Sequence, residues 1–184
     1  MARLIPSLCP YCKWERKVTK AHRDWCPSQG EGHAVPTEMV PGLWVSGVMA
    51  RADERFVAVA SILTHGEHHW AAGAKIAPPP GKWLFVEHED RQPGLIAKAP
   101  EIWAFIDAHV PRGPVLVHCG AGASRSVTAV AGWLVTRRGM TAADAVALML
   151  DKRPQVMYLW EGFEQELLTL TPGIMAGQEA PCEP

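Results

Sequence analysis

At 184 residues, 48% of them apolar, the chain is long enough to bury one hydrophobic core and too short for two of ordinary size. A net charge of -1 excludes strong overall attraction to nucleic acid or to an anionic membrane, although residues 1–35 carry six Lys or Arg against three Asp or Glu. The longest apolar run, Val127 to Val135 with a Thr inside it, falls far short of the roughly 20 residues that span a bilayer, and the start of the chain lacks the apolar stretch of a secretion signal. A soluble, cytoplasmic protein with no membrane partner is expected. Five cysteines, three of them within the first 26 residues, are too few and too uneven for a disulfide framework and read as metal ligands or a nucleophile.

Residues 1–35 combine cysteine, charge and tryptophan with no helical or strand period, so this segment has no core of its own without a cross-link. Cys9-x2-Cys12 and His22-x3-Cys26 are two close pairs nine residues apart, a spacing that lets two chelating turns close a tetrahedral site, with His33 as an alternative to His22. A structural zinc is expected there, because its binding free energy would fold a short segment. Unrelated thiols in a flexible leader and a redox Cys-x2-Cys pair are the competing readings. The mild basicity permits nucleic-acid contact without establishing it, and no nucleic-acid partner is expected.

From Thr37 the texture changes. "PGLWVSGV" and "FVAVASIL" read as apolar, β-branched strands separated by the charged "MARADER", and "KWLFVEHED" as a third strand running into acid. The cluster "HGEHHW" at residues 65–70 reads as a solvated polar loop in preference to a metal site. "APEIWAFIDAHV" sets Ile102, Trp103, Ile106 and Val110 on one helical face with Pro100 near the first turn, and Gly113-Pro114 precedes the strand "VLVH". A helix opening at Ser124 or Arg125 runs to Arg138 and stops at Gly139. Thr141 and Asp144 fit a capping box for the next helix, which Arg153-Pro154 ends, and "LWEGFEQELLTL" is the last helix. This alternation predicts an α/β domain over residues 36–171, a central mostly parallel sheet flanked by helices, with its chemistry at the C-terminal ends of the strands. Residues 172–184 read as a disordered tail.

Strand, turn and helix meet in "LVHCGAGASRS", residues 116–126. A strand that turns through small residues into a helix N-terminus aims several backbone N–H groups into one concavity, where the helix dipole adds about half a positive charge. Gly120 and Gly122 allow the curl, and Ala121, Ala123 and Ser124 keep its floor open. Arg125 can return a planar guanidinium to hold two oxygens of a bound phosphate. The same field favours a thiolate at Cys119, which places a nucleophile beneath the phosphorus.

These residues carry a family resemblance. "HCGAGASRS" matches the Cys-x5-Arg signature of the cysteine-dependent protein tyrosine phosphatases and resembles the His-Cys-x-Ala-Gly-x-Ser-Arg-Ser form of the dual-specificity phosphatases at every fixed position. "VPGLWVSG" resembles the opening strand of that domain, and "KRPQVMYLWEGFEQEL" its closing Arg-Pro, Gly-Phe and Gln-x-Leu pattern, so the likeness covers roughly residues 37–170. The resemblance implies two steps: thiolate Cys119 attacks phosphorus to give a cysteinyl-phosphate, which water then hydrolyses. Arg125 and the amides of residues 120–125 would hold the equatorial oxygens, and Ser126 would hydrogen-bond the departing thiolate, with no catalytic cofactor. The family supplies the leaving group's proton from an aspartate on a loop some thirty residues before the cysteine. Asp90 is the choice, with Glu89 as competitor at a one-residue shift and His88 as a third. His118 is read as orienting the loop, not as a base.

The leading expectation is a phosphomonoester hydrolase acting on phosphotyrosine, and on phosphoserine or phosphothreonine, in a phosphorylated protein substrate. A phosphoinositide or nucleotide substrate is the alternative within enzymes, weakened by the absence of lysines from the loop. A phosphate-binding or zinc-dependent recognition module with little turnover is the alternative outside them. Sulfur transfer of the rhodanese kind fits less well, since its cysteine loop differs in length and composition.

Overall fold

The computed structural model describes residues 35–73, 77–153 and 159–173. The proposed zinc ligands Cys9, Cys12, His22 and Cys26, with His33, lie outside the described residues, as does residues 174–184 of the expected tail.

Five strands form one sheet: β1 (Thr37–Val40), β2 (Leu43–Gly47), β3 (Ala58–Leu63), β4 (Lys82–Glu87) and β5 (Val115–Cys119), in the order β1-β2-β5-β3-β4. β1 and β2 are an antiparallel hairpin, and the other neighbours run parallel. The mostly parallel sheet is therefore as expected, although the sequence reading did not separate β1 from β2. β3 and β5 are buried at every residue, which is why they read as continuous runs and not as alternations.

Helices cover both faces. Met39, Leu43, Val45, Ala58, Ala60, Ile62, Val115 and Val117 pack with α2 (Leu95–His109), α3 (Arg125–Arg138), α4 (Ala142–Lys152) and α5 (Glu161–Leu168). Val59, Leu116 and Leu63 point to the other side, where Phe56, Val48 and Ala71 of α1 (His65–Gly73) meet them. α3 is the central helix, buried from Arg125 through Val135. Two indoles tie it to α2: Trp103 of α2 donates to Ala129 O at 2.9 Å, and Trp133 of α3 to Asp107 Oδ1 at 2.8 Å. Gly139 ends α3 in the left-handed region at φ 66°, and Thr141 Oγ1 accepts the Asp144 N–H at 3.1 Å to open α4, both as the sequence signals indicate.

Two local expectations are corrected. "HGEHHW" is not a loop but the start of α1, because Thr64 and Glu67 box its N-terminus: Glu67 N–H donates to Thr64 Oγ1 at 3.0 Å, and Thr64 N–H to Glu67 Oε2 at 2.9 Å. α2 begins at Leu95, which puts Pro100 in its second turn and not its first. The earlier start is stabilised from a distance, since Glu166 of α5 accepts the N–H groups of Gly94 and of Ile96, the latter at 2.9 Å. Among the described residues no helix is long and apolar enough to cross a membrane.

Candidate active site

β5 ends at Cys119, paired in register with Gly47 of β2, so the turn that follows leaves the sheet at the C-terminal edge of two parallel strands. Residues 120–124 curl from there into the first turn of α3. Val48 N–H donates to Gly120 O at 3.1 Å and Arg153 Nε to Gly122 O at 2.6 Å, so the loop is held on both sides. The two glycines serve different needs. Gly122 has φ 69°, and a Cβ there would fall 2.3 Å from the Ser46 carbonyl carbon. Gly120 is not in the left-handed region; a Cβ there would meet Glu67 Oε1 at 2.7 Å.

Cys119 is free and 2% exposed. Two donors converge on its sulfur, the Gly122 N–H at 3.2 Å and the Ser126 hydroxyl at 3.3 Å. Behind it, His118 is fully buried, and burial pushes its pKa down to about 4 against a partial lift from its hydrogen bond to the Cys119 carbonyl. The imidazole is therefore neutral at neutral pH, with Nδ1 3.3 Å from the Cys119 carbonyl oxygen.

Arg125 is 3% exposed and held from behind. Glu67 grips it end-on, Oε2 to Nη1 and Oε1 to Nη2, each at 2.6 Å, and the His88 carbonyl accepts from Nη1 at 2.9 Å. A guanidinium has five N–H donors. With those three bonds made, the Nε–H and the second Nη2–H remain, side by side on one edge. Arg125 Nε is buried with no hydrogen-bond partner among the described residues, as is Ser124 Oγ on the same loop. Burial opposes the charges of both partners, yet their mutual hydrogen bonds and attraction prevail: Glu67 sits below the ordinary carboxylate range and Arg125 above the ordinary guanidinium range, with Cys119 and Asp90 adding to the latter.

The loop after β4 brings the acid candidates to this edge. Asp90 Oδ1 faces Arg125 Nε at 3.8 Å. Glu89 is exposed, as is Asp90, and the His88 ring is turned inward, its Nε2 on the Gln92 carbonyl at 2.9 Å and its centroid 6.0 Å from that of Phe163 in a tilted arrangement. Of the three candidates, Asp90 is the one whose side chain faces Arg125.

Two functional side chains escaped the sequence reading. Glu67 was hidden in a stretch read as a loop, although its Thr-x-x-Glu capping box was visible. Arg153, in sequence a helix stop and part of the closing Arg-Pro pattern, is fully buried and also reaches Val35 O at 2.9 Å and Thr37 Oγ1 at 2.8 Å, tying the loop to β1. Burial lowers its pKa to about 10, against the pull of Cys119, so it stays cationic at neutral pH. Nothing local in the sequence marks which arginine will do this. Among the described residues no group of His, Cys, Asp and Glu is arranged to hold a metal ion.

A strand-turn-helix cradle with a cysteine at its base and an arginine presenting a free two-donor edge is built for a tetrahedral oxyanion. Comparison with known proteins agrees. The family model of the dual specificity phosphatase catalytic domain matches residues 83–171. Dual specificity protein phosphatase 1B of Arabidopsis thaliana is 32% identical over 142 residues, covering 74% of this chain and 82% of that protein. Dual specificity protein phosphatase 12 of Mus musculus is 33% identical over 147 residues, 77% of this chain but 42% of its own length. Among solved structures, the human tyrosine phosphatase-like serine/threonine/tyrosine-interacting protein superposes with a TM-score of 0.63 at 23% identity, over 72% of this chain and 92% of that one. The crystal structure of DUSP15 gives 0.59 at 25%, over 72% and 85%. The chain belongs to the dual specificity phosphatase family and is a phosphatase by class.

Two outcomes follow from the geometry. Glu67→Gln keeps the shape but removes the charge that squares Arg125 to the loop, and kcat/KM for an aryl phosphate is expected to fall roughly 10- to 100-fold, while Glu67→Asp recovers part of the loss. For stability, the unfolded chain takes up a proton near pH 6.5 that folded His118 refuses until about pH 4. Unfolding free energy is therefore expected to drop by up to about 3 kcal/mol as pH falls through that window, with contributions of the same sign from His68 and His88, whose pKa values burial also lowers. Urea titrations of wild type and His118→Asn across this range measure it, the variant showing the shallower slope.

Proposed function

We propose that Cys119 is the nucleophile of a phosphomonoester hydrolase acting on phosphorylated proteins. The observation that carries this reading is the Arg125 Nε, buried without a hydrogen bond, beside a cysteine that already receives two. The thiolate of Cys119 attacks phosphorus, a sulfur–phosphorus bond forms, and the bond to the leaving oxygen breaks. Arg125 takes two equatorial oxygens in a bidentate fork, and the loop amides of Gly120, Ala121, Gly122, Ala123 and Ser124, aided by the dipole of α3, hold the charge. Asp90 delivers a proton to the departing alkoxide or phenoxide. Water then enters on the same side, gives its proton to Asp90 and attacks the cysteinyl-phosphate, and Ser126 stabilises the returning thiolate.

No cofactor enters this chemistry. A reduced thiol suits the cytoplasm. For a structural zinc on Cys9, Cys12, His22 and Cys26 the support is ligand spacing. A protein substrate is favoured over a phosphoinositide because the loop offers Arg125 and no lysine against a highly charged head group.

Hydrolysis of phenyl phosphates and phosphopeptides tests the mechanism. Cys119→Ser should abolish turnover, and a variant retaining wild-type rates removes the nucleophile assignment. Asp90→Asn should slow phosphoserine peptides far more than activated phenols, which leave without a proton. An equal loss on both assigns the acid elsewhere. Elemental analysis of the purified chain is expected to find stoichiometric zinc that a chelator removes together with order in residues 1–35; metal-free protein would rule the site out.

A further inference from the structure

β3 is apolar along its length except for Ser61, which is fully buried and stands opposite His118 in the parallel register with β5. The hydroxyl lies 2.7 Å from His118 Nε2, and Trp83 Nε1 on β4 lies 2.9 Å from the same oxygen. On its other side the imidazole reaches the Cys119 carbonyl through Nδ1 at 3.3 Å. An indole N–H can only donate and a carbonyl can only accept, so both ends of this chain are fixed. The bonds between them then have one consistent direction: Trp83 donates to Ser61, Ser61 donates to Nε2, and Nδ1–H donates to Cys119 O.

We infer that Ser61 and Trp83 are positioning residues of the active site, which lock His118 in its Nδ1–H form and through it orient the Cys119–Gly120 peptide at the base of the phosphate loop. A trans peptide is planar, with its N–H opposite its C=O. Fixing the Cys119 carbonyl toward His118 therefore directs the Gly120 N–H away from it, toward the loop side where an oxyanion would sit. Without the Ser61 hydroxyl, Nε2 is a buried acceptor with no donor. The ring then loses the bond that fixes its plane, so the Nδ1–H it aims at the Cys119 carbonyl, 3.3 Å away, loosens and frees the peptide. The relay also touches the Arg125 clamp. Trp83 stacks on His68 at 5.5 Å between ring centroids, and His68 lies one residue after Glu67 on α1. A half-exposed indole thus braces both the cysteine and the helix that holds the arginine.

This inference rests on the proposed cysteine chemistry, but its primary readout needs no turnover. Nitrogen NMR of the histidine rings, with the His118 signal identified by its loss in His118→Asn, should show an Nδ1–H tautomer in the wild type at neutral pH. In Ser61→Ala the Nε2 signal should shift toward that of a pyridine-type nitrogen without a hydrogen bond, with about a five- to tenfold loss of kcat/KM on an aryl phosphate carried by kcat. Ser61→Thr, which keeps the hydroxyl, should restore both, and Trp83→Phe should give a smaller loss in the same direction. An Nε2–H tautomer in the wild type overturns the proposal, as does Ser61→Ala with an unchanged Nε2 signal or unchanged kcat/KM. Failure of the cysteine mechanism itself would appear separately, as turnover surviving in Cys119→Ser.

Discussion

The grip of Glu67 on Arg125 is the contact on which the rest of the site depends. A guanidinium buried to this degree is costly unless its charge is matched and its donors are filled. Glu67 does both from behind, and it leaves open the one edge that matches two oxygens of a phosphate. The same carboxylate oxygen that takes Nη1 also takes the Thr64 amide, so the start of α1 and the orientation of the arginine are a single arrangement. A carboxylate that only neutralised Arg125 would leave it free to rotate; the end-on geometry fixes its plane.

Around that pair the polar loops are tied at several points to rigid elements. The phosphate loop is fixed by Arg153, by the Val48 amide and by close approach of the Gly122 and Ser46 backbones. The acid loop is fixed by the His88 carbonyl on Arg125, by the His88 ring on Gln92, by Lys98 on the Glu87 carbonyl and by Glu166 at the start of α2. Dipoles and donors that are already aimed need not reorganise during phosphoryl transfer, which is where such a site gains its rate. The ties come from residues in or next to β1, β2, β4, α1, α2, α4 and α5, so the site is a property of the assembled domain and not of the signature loop alone.

Fold likeness by itself does not decide turnover. One of the structural neighbours is described as a phosphatase-like interacting protein, and it shares the architecture at low identity. What argues for catalysis in this chain is the set Cys119, Arg125, Ser126 and Asp90, with the Ser126 hydroxyl donating to the Cys119 sulfur and Asp90 facing Arg125.

The sequence by itself determined the elements whose signals are local. Continuous apolar runs mark β3 and β5 because a parallel strand is buried on both faces; Gly139 and the Thr141–Asp144 pair mark helix ends because those positions need particular backbone angles or donors. The Cys-x5-Arg spacing is legible for the same reason, since a strand, a small-residue turn and a helix N-terminus are consecutive in the chain. Only the tertiary structure decided which distant groups complete the site. Glu67 lies 58 residues from Arg125, Arg153 lies 31 from Gly122, Ser61 lies 57 from His118, and Glu166 lies 70 from Ile96. Such pairs arise from strand order and helix packing, which bring together residues that no window of sequence contains. Which of His88, Glu89 and Asp90 the loop turns toward Arg125 is likewise a tertiary matter: it is Asp90, whose Oδ1 lies 3.8 Å from Nε.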